Sequence, residues 1–391
     1  MISLLLYKSE KITLTNISMK VPLVDLQAQY LSIKPEIDTA IQQVIENSQF
    51  ILGKAVSDFE DAFAKAHQIK HCVAVGSGTD ALHAGLWALG VGKGDAVITT
   101  PFTFIATIEA ISLTGAKPVF VDIDPTTYTM DPEKLEDCLR SKRNNSKVII
   151  PIHLYGQPAA MDEVCKTATK YNVKIVEDAC QSHLAQYDGK YVGNFGSAGC
   201  FSFYPSKNLG AFGEGGAVTT NDGEIAEKVR LLRDHGQVEK YKHEFWGYNY
   251  RMDGIQGAVL GVKLKYLKHW TERRRAIAQT YKRLLSGVGD IILPFESSNA
   301  YHVYHLFVVR TKRRTELQQF LFQKEIATTI AYPIPLHLQQ AYRYLGYTRG
   351  DFPNSEVAAD ECLSLPIYPE MSDVQVEYVA SNVKSFFQNK R

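Results

Sequence analysis

No apolar run approaches the roughly 20 residues that a membrane-spanning helix needs, so no membrane helix is expected. Nor is a secretory leader expected: Ile2 to Tyr7 are apolar, but Lys8 follows and no small-residue cleavage site appears. Charge of one sign is also missing. The 43 Lys and Arg face 42 Asp and Glu, a net charge of +1, which offers no global attraction for nucleic acid or an anionic membrane. Six cysteines (Cys72, Cys138, Cys165, Cys180, Cys200, Cys362) never form a CxxC pair and read as reduced thiols of a cytoplasmic protein. His67, His71 and the adjacent Cys72 have a spacing that could hold zinc, yet no further ligand clusters with them. A surface helix end is the preferred reading, and no metal is expected. Intact nucleotide motifs are absent as well. Gly76-Ser77-Gly78-Thr79-Asp80-Ala81 lacks the last glycine of GxGxxG, and no GxxxxGK[ST] occurs around Gly90 to Gly94.

What is present is enough chain for two packed units: 391 residues, 45% of them hydrophobic, with no internal repeat or low-complexity linker. Residues 27 to 67 carry helical patterning, notably Ile33 to Ile45 and Val56 to Ala66, separated by Gly53. From about residue 70 to 220 the pattern becomes α/β. Strand candidates fall at Cys72–Val75, Ala96–Thr99, Pro118–Val121, Val148–Ile152, Val173–Glu177, Gly199–Phe203 and Gly216–Thr220. Helical stretches such as Ala81–Leu89, Ile105–Leu113, Pro132–Lys142 and Met161–Tyr171 lie between most of them, which predicts a mostly parallel sheet flanked by helices. One long helical stretch, Ile255 to Leu285, leads to a smaller unit. Its expected parts are a strand at Val303–Arg310, a helix at Thr315–Lys324, a Pro- and aromatic-rich loop at Tyr332–Tyr347 and a closing helix at Val374–Phe387. The triplet Arg273-Arg274-Arg275 reads as a solvated helix face, with diphosphate binding as the alternative.

Three local features carry chemistry. Lys207 lies between the aromatic strand Gly199 to Tyr204 and the turn Gly213 to Gly216, with Lys190 and Glu214 as its nearest charges along the chain. Apolar surroundings strip hydration from an amine and lower its pKa, which frees it to attack a carbonyl. Asp178 ends the apolar run Val173 to Glu177, the place where a buried parallel strand presents functional groups. A cofactor with a basic ring nitrogen needs such a carboxylate, although a helix cap or a structural ion pair fits Asp178 equally well when it is taken alone. Gly76 to Thr79 form a turn from strand to helix whose N–H groups, with the Thr79 hydroxyl, suit a phosphate. Phosphate turn, aspartate and lysine together meet the three demands of pyridoxal phosphate.

With these motifs in place the chain resembles the DegT/DnrJ/EryC1/StrS family of pyridoxal-phosphate-dependent nucleotide-sugar aminotransferases. The resemblance rests on Gly76–Leu82, Pro101–Thr107, His153–Gly156, Glu177–Gln181, Phe201–Gly216, Gly247–Met252 and Tyr332–His337, and extends over about residues 19 to 385. It implies the aspartate-aminotransferase-like α/β architecture of fold type I, with a smaller α+β domain built from both chain ends. The corresponding divisions are an extension at 1–18, an N-terminal helical segment at 19–67 joining the small domain, a large cofactor domain at 68–260 and a small domain at 261–391. Residue by residue, it implies that Lys207 links covalently to the cofactor and moves protons. Asp178 is the ring-nitrogen partner, Phe104 stacks on the ring and Gln181 lies near its hydroxyl. Gly78, Thr79 and Ser202 are the phosphate contacts made within the subunit, while Asn249 reaches in from a neighbour, which implies a homodimer with sites at the interface. Tyr155, Tyr204, Arg251, Tyr332 and His337 are substrate candidates.

The implied reaction takes an amino group from L-glutamate to a keto-sugar nucleotide. Gly247 to Gly257 with Lys265 to Arg275 looks closest to enzymes that aminate C3 of dTDP-3-keto-6-deoxyhexoses for surface polysaccharide or S-layer glycans. C4 amination is the alternative. A sugar 3-dehydratase is disfavoured because a histidine replaces the lysine in that branch, and a non-catalytic sensory homologue need not keep Lys207, Asp178 and Gln181 together.

Overall fold

The computed structural model describes residues 19–141 and 145–388. The expected extension at 1–18 lies outside them, as does Lys142 at the expected end of the helix begun at Pro132. Among the described residues no helix is long and apolar enough to cross a membrane.

Seven short strands form the central sheet: β1 (His71–Val75), β2 (Ala96–Thr99), β3 (Lys117–Phe120), β4 (Ser146–Ile149), β5 (Lys174–Asp178), β6 (Ala198–Ser202) and β7 (Gly216–Thr220). Their spatial order is β1-β7-β6-β5-β4-β2-β3. Only β7 runs antiparallel, to β1 and β6 on either side; the other pairings are parallel. Two reversals restore the direction, so β1 points the same way as β5 and β6. The carboxyl ends of β1, β2, β5 and β6 therefore share one edge, and the segments that follow them meet there. These strands are apolar runs bounded by turns because helices cover both of their faces, as for Val73, Val97, Val148 and Val176, which are fully buried.

The smaller unit pairs Phe307–Arg310 antiparallel with Cys362–Leu365 and packs helices Arg314–Gln323 and Asp373–Gln388 around them. Val21 joins this core through a parallel bridge to Ile326. The helices of the 19–67 segment also make contacts on the other side. Helices Lys34–Glu46 and Lys54–Ala66 pack on helix Gly254–Leu264, and the second also packs on β1 of the large sheet. Phe59 and Phe63, both fully buried, meet Phe201 and Phe203 edge to face, and burial of each ring stabilises this junction by about 2–3 kcal/mol.

One correction concerns the stretch Ile255 to Leu285, which is two helices, Gly254–Leu264 and Leu267–Leu285. The N–H groups of Lys265 and Tyr266 bond three residues back, to Val262 and Lys263, which tightens and ends the first helix. The chain then turns because its two apolar faces serve different cores. Val259 and Val262 pack with Ile33 and Ile37, whereas Ile277 and Tyr281 enter the smaller unit.

Candidate active site

A cavity of about 730 Å³ opens where the strand ends converge. Lys207, Asp178, Gly78, Thr79, Phe104, Gln181, Ser202, Tyr204 and Tyr332 all line it. Asp178, the last residue of β5 and 6% exposed, has both carboxylate oxygens engaged. Thr107 Oγ1 donates to Oδ2 at 2.8 Å and the Cys180 N–H donates to Oδ1 at 3.2 Å. Thr107 is itself 3.1 Å from the Thr103 hydroxyl, so a chain of two threonines from the β2 edge orients the acid. Lys207 is half-buried in the turn that follows β6, its N–H bonded to the Tyr204 carbonyl at 2.8 Å. Loss of hydration lowers the pKa of its amine, and the charges of Cys180 and Asp178 oppose that shift without cancelling it.

The turn from Gly76 to Thr79 is built from close backbone contacts. Helix Gly78–Ala88 is capped by Ser77, whose hydroxyl accepts from the Asp80 N–H at 3.1 Å, leaving its first turn pointed at the cavity. A Cβ on Gly78 would sit 2.6 Å from Ser202 Cβ, and one on Gly216 would sit 2.1 Å from the Ser77 carbonyl oxygen. The turn thus lies directly against β6 and β7, which brings Ser202 to the helix end. Burial and the nearby Glu214 push the Asp80 carboxyl up to about 6.

Gln181 bridges two walls of the cleft: its Oε1 accepts from the Tyr155 N–H at 2.7 Å and its Nε2 donates to the Tyr332 hydroxyl at 2.9 Å. Phe104 is 56% exposed at the mouth, its ring 5.9 Å from that of Tyr332. Two of the substrate candidates have side chains engaged in packing. Tyr155 is buried, donates its hydroxyl to the Ala331 carbonyl and packs edge-on against Phe102, so it serves the site through its backbone. His337 is buried 3.0 Å from Glu356 and does not line the cavity. Arg251 pairs with Asp234 at 2.8 Å and donates to Asn249 Oδ1 at 3.1 Å, and neither Arg251 nor Asn249 lines the cavity of its own chain.

Sequence reading gave no role to Thr107, Cys180 or His305 and preferred a solvated face for Arg274, yet all four line the cavity. The arginine triplet is not a solvated face. Arg273 donates to the Met371 carbonyl and Asp373, and Arg275 to Glu296 and the His302 carbonyl. Arg274 is 3% exposed and donates to the Ile367 carbonyl at 2.7 Å, and burial pulls its pKa down to about 10. The signal was available: Trp270, Arg274, Ile277 and Tyr281 fall on one helical stripe, and that stripe is the buried one. His67 is likewise corrected from surface to interior. Its ring stacks on Phe63 at 4.1 Å, and its two nitrogens meet the Phe63 carbonyl and the Leu184 N–H.

A softened lysine, a fixed carboxylate and a phosphate-sized helix end, gathered on one edge of a mostly parallel sheet, suit pyridoxal phosphate, and the chain is a pyridoxal-phosphate-dependent enzyme of fold type I. Comparison with known proteins narrows the class. The model of the DegT/DnrJ/EryC1/StrS aminotransferase family matches residues 31–384, and the chain belongs to that family. It is 47% identical over 373 residues to a pleiotropic regulatory protein of Geobacillus stearothermophilus, covering 95% of this chain and all of the relative. It is 44% identical over 366 residues to the dTDP-3-amino-3,6-dideoxy-alpha-D-galactopyranose transaminase of Aneurinibacillus thermoaerophilus, covering 94% and 99% of the two chains. Among solved structures, S. venezuelae DesV in complex with a ketimine intermediate superposes with a TM-score of 0.92 at 41% identity, over 95% of this chain and 100% of that one.

Proposed function

We propose that this enzyme transfers the amino group of L-glutamate to the C3 ketone of a dTDP-3-keto-6-deoxyhexose, releasing 2-oxoglutarate and a dTDP-3-amino-3,6-dideoxyhexose. The observation that carries the reading is the meeting of Lys207 and Asp178 in one cavity with Gly78, Thr79 and Ser202. The cofactor, when bound, supplies an electron sink that acidifies the C–H bond of the amino-bearing carbon. Asp178, oriented by Thr107, would hold a proton on the ring nitrogen. Gly78, Thr79 and Ser202 would hold the phosphate, and Gln181 would take the ring hydroxyl. Phe104 would cover a ring face, a contact worth about 1 kcal/mol beyond its burial, so it would orient more than it binds. Lys207 Nζ would hold the cofactor and, once freed, accept the proton from the amino-bearing carbon, a task suited to an amine whose pKa has been lowered.

The C3 assignment and the dTDP nucleotide are supported by the named activity of the Aneurinibacillus relative together with the Gly247 to Arg275 resemblance. Tyr204 and Tyr332, both on the cavity wall, are the preferred sugar contacts. A homodimer is part of this reading. Asn249 lies outside its own cavity, and Phe50, Ile51, Phe212 and Trp246 are large apolar side chains left exposed on the single chain. Each copy would complete its neighbour's phosphate site through Asn249. The regulatory name of the Geobacillus relative favours a non-catalytic role as the second reading, which the joint retention of Lys207, Asp178 and Gln181 argues against. Incubation with glutamate and the dTDP-3-keto-sugar, followed by NMR of the product, decides. An amino group at C3 supports the proposal, an amino group at C4 of a 4-keto substrate replaces its regiochemistry, and glutamate left unconsumed with every keto-sugar nucleotide refutes it.

A further inference from the structure

We propose that Lys263 is a positioning residue for Lys207, holding from behind the backbone of the turn that carries the reactive amine. The proposal rests on the assignment of Lys207 as the covalent residue. Lys263 belongs to helix Gly254–Leu264 and is 1% exposed. Its Nζ donates to the Gly210 carbonyl at 2.7 Å and lies 4.5 Å from the centroid of the Phe212 ring. Among the described residues it forms no ion pair. Burial of the ammonium pulls its pKa down to about 8, against the opposing pull of the Glu370 charge, and neutral or charged it keeps a hydrogen for Gly210.

The turn it holds is a narrow loop. Ala211 N–H bonds to the Phe203 carbonyl at 2.8 Å and closes the neck, while Lys207 N–H bonds to Tyr204 and tightens the tip. Gly210 lies so close to Pro205 that a Cβ would sit 2.2 Å from the Pro205 carbonyl oxygen. Asn208 ties the inner side to the Val303 carbonyl at 3.0 Å. The outer side is held to helix Gly254–Leu264 by two ties, the Lys263 bond to Gly210 and the Phe212 N–H, which donates to Gln256 Oε1 at 2.9 Å, and beside them lies an open pocket of about 300 Å³ lined by Leu26, Pro205, Ala211, Phe212 and Lys263. With an open pocket on that side, the loop relies on these ties, and the Lys263 hydrogen bond is the one that fixes Gly210, three residues from Lys207. Misplacement of a reacting group by about 1 Å costs on the order of a hundredfold in rate, so a modest shift of Gly210 is enough to matter at Lys207.

The test uses the full chain with Lys263→Met, which matches the length without a donor, and Lys263→Arg, which keeps one. Apoprotein is mixed with pyridoxal phosphate and sampled over time. Borohydride fixes the adduct, and mass spectrometry reads the Lys207 peptide. The Met protein is expected to attach cofactor about tenfold more slowly or worse, with kcat for glutamate falling in step and its KM changed by less than about twofold. The Arg protein should recover to within about threefold of the parent rate. Attachment by the Met protein at the parent rate overturns the proposal. If the Met protein does not fold, Lys263→Gln, whose amide stops one bond short of Gly210, is read the same way. A parent protein that forms no adduct on Lys207 sinks the Lys207 assignment itself, whereas a parent adduct matched in rate by the variants sinks only Lys263.

Discussion

Replacing Gly78 by alanine adds a Cβ 2.6 Å from Ser202 Cβ, 3.1 Å from Ser202 Oγ and 3.2 Å from Cys180 Sγ, at the first residue of the helix proposed to bind phosphate. The nearest of these atoms is a Cβ fixed to β6, so no rotamer change relieves it, and the turn or the strand must move. Overpacking of this kind costs about 1–3 kcal/mol. If the displaced element is the turn, the loss falls on cofactor binding, and about 1–3 kcal/mol corresponds to roughly 5- to 150-fold in Kd. Titration of apoprotein with pyridoxal phosphate, followed by absorbance, measures it. Ser202→Gly removes both the Cβ and the Oγ, so the double variant should regain part of the loss, and the coupling between the two sites should be about 0.5–3 kcal/mol. Affinity unchanged within about twofold in Gly78→Ala, or strictly additive effects in the double variant, would show that these two elements do not form the cradle.

Lys207→Ala should abolish the borohydride-fixed adduct and the visible absorbance band of the loaded protein; a band that persists removes Lys207 from its role. Thr107→Val leaves Asp178 Oδ2 without its 2.8 Å donor, and loss of a hydrogen bond to a buried carboxylate should weaken cofactor binding by about 1–3 kcal/mol, read by the same titration. Burial lowers the Lys207 pKa, so the rate of cofactor attachment should rise with pH through a midpoint below 10.5, the ordinary lysine value. The same shift sets a sign for stability. Between the folded and unfolded pKa values the unfolded chain binds more protons, so the Lys207 contribution to apoprotein stability rises with pH across that window. It should vanish in Lys207→Met, and an identical pH–stability curve for the two proteins contradicts the shift.

Much of the sheet was legible because parallel strands buried on both faces leave unbroken apolar runs. Ala96–Thr99 and Gly216–Thr220 match their expected bounds, and the others differ by a few residues at most. The failures share a cause. The break at Lys265 and Tyr266 leaves no glycine or proline in the sequence, because it arises from two helical faces seeking different cores. Helix Pro353–Glu361 went unnoticed because its buried positions include Ser355 and Glu356, held by Asp122, the Gly350 N–H and His337, so polarity hid its inner face. His67 looked like a surface residue because a histidine after a helix usually is one; the rings of Phe63 and Phe201 that enclose it lie on separate elements.

The site divides along the same line. Lys207, Asp178 and the Gly76 to Thr79 turn could be found because each marks the end of a periodic element, and the sheet edge gathers such ends whatever their distance along the chain. The side chains of Tyr155 and His337 were not legible, because proximity to a cleft segment says nothing of which way a side chain turns, and both point into packing. Arg274 shows the converse. A run of three arginines suggests a wet surface, yet the helical stripe from Trp270 to Tyr281 carries the middle one inside, where three backbone carbonyls receive it. Composition alone cannot outvote periodicity, since the helix repeat fixes which of three adjacent charges faces the core. Applied to Lys263, the same logic puts it one turn from Val259 and beside Leu260 and Val262, on the buried side of its helix, where an amine persists by finding a carbonyl, and the carbonyl it finds belongs to the turn of Lys207.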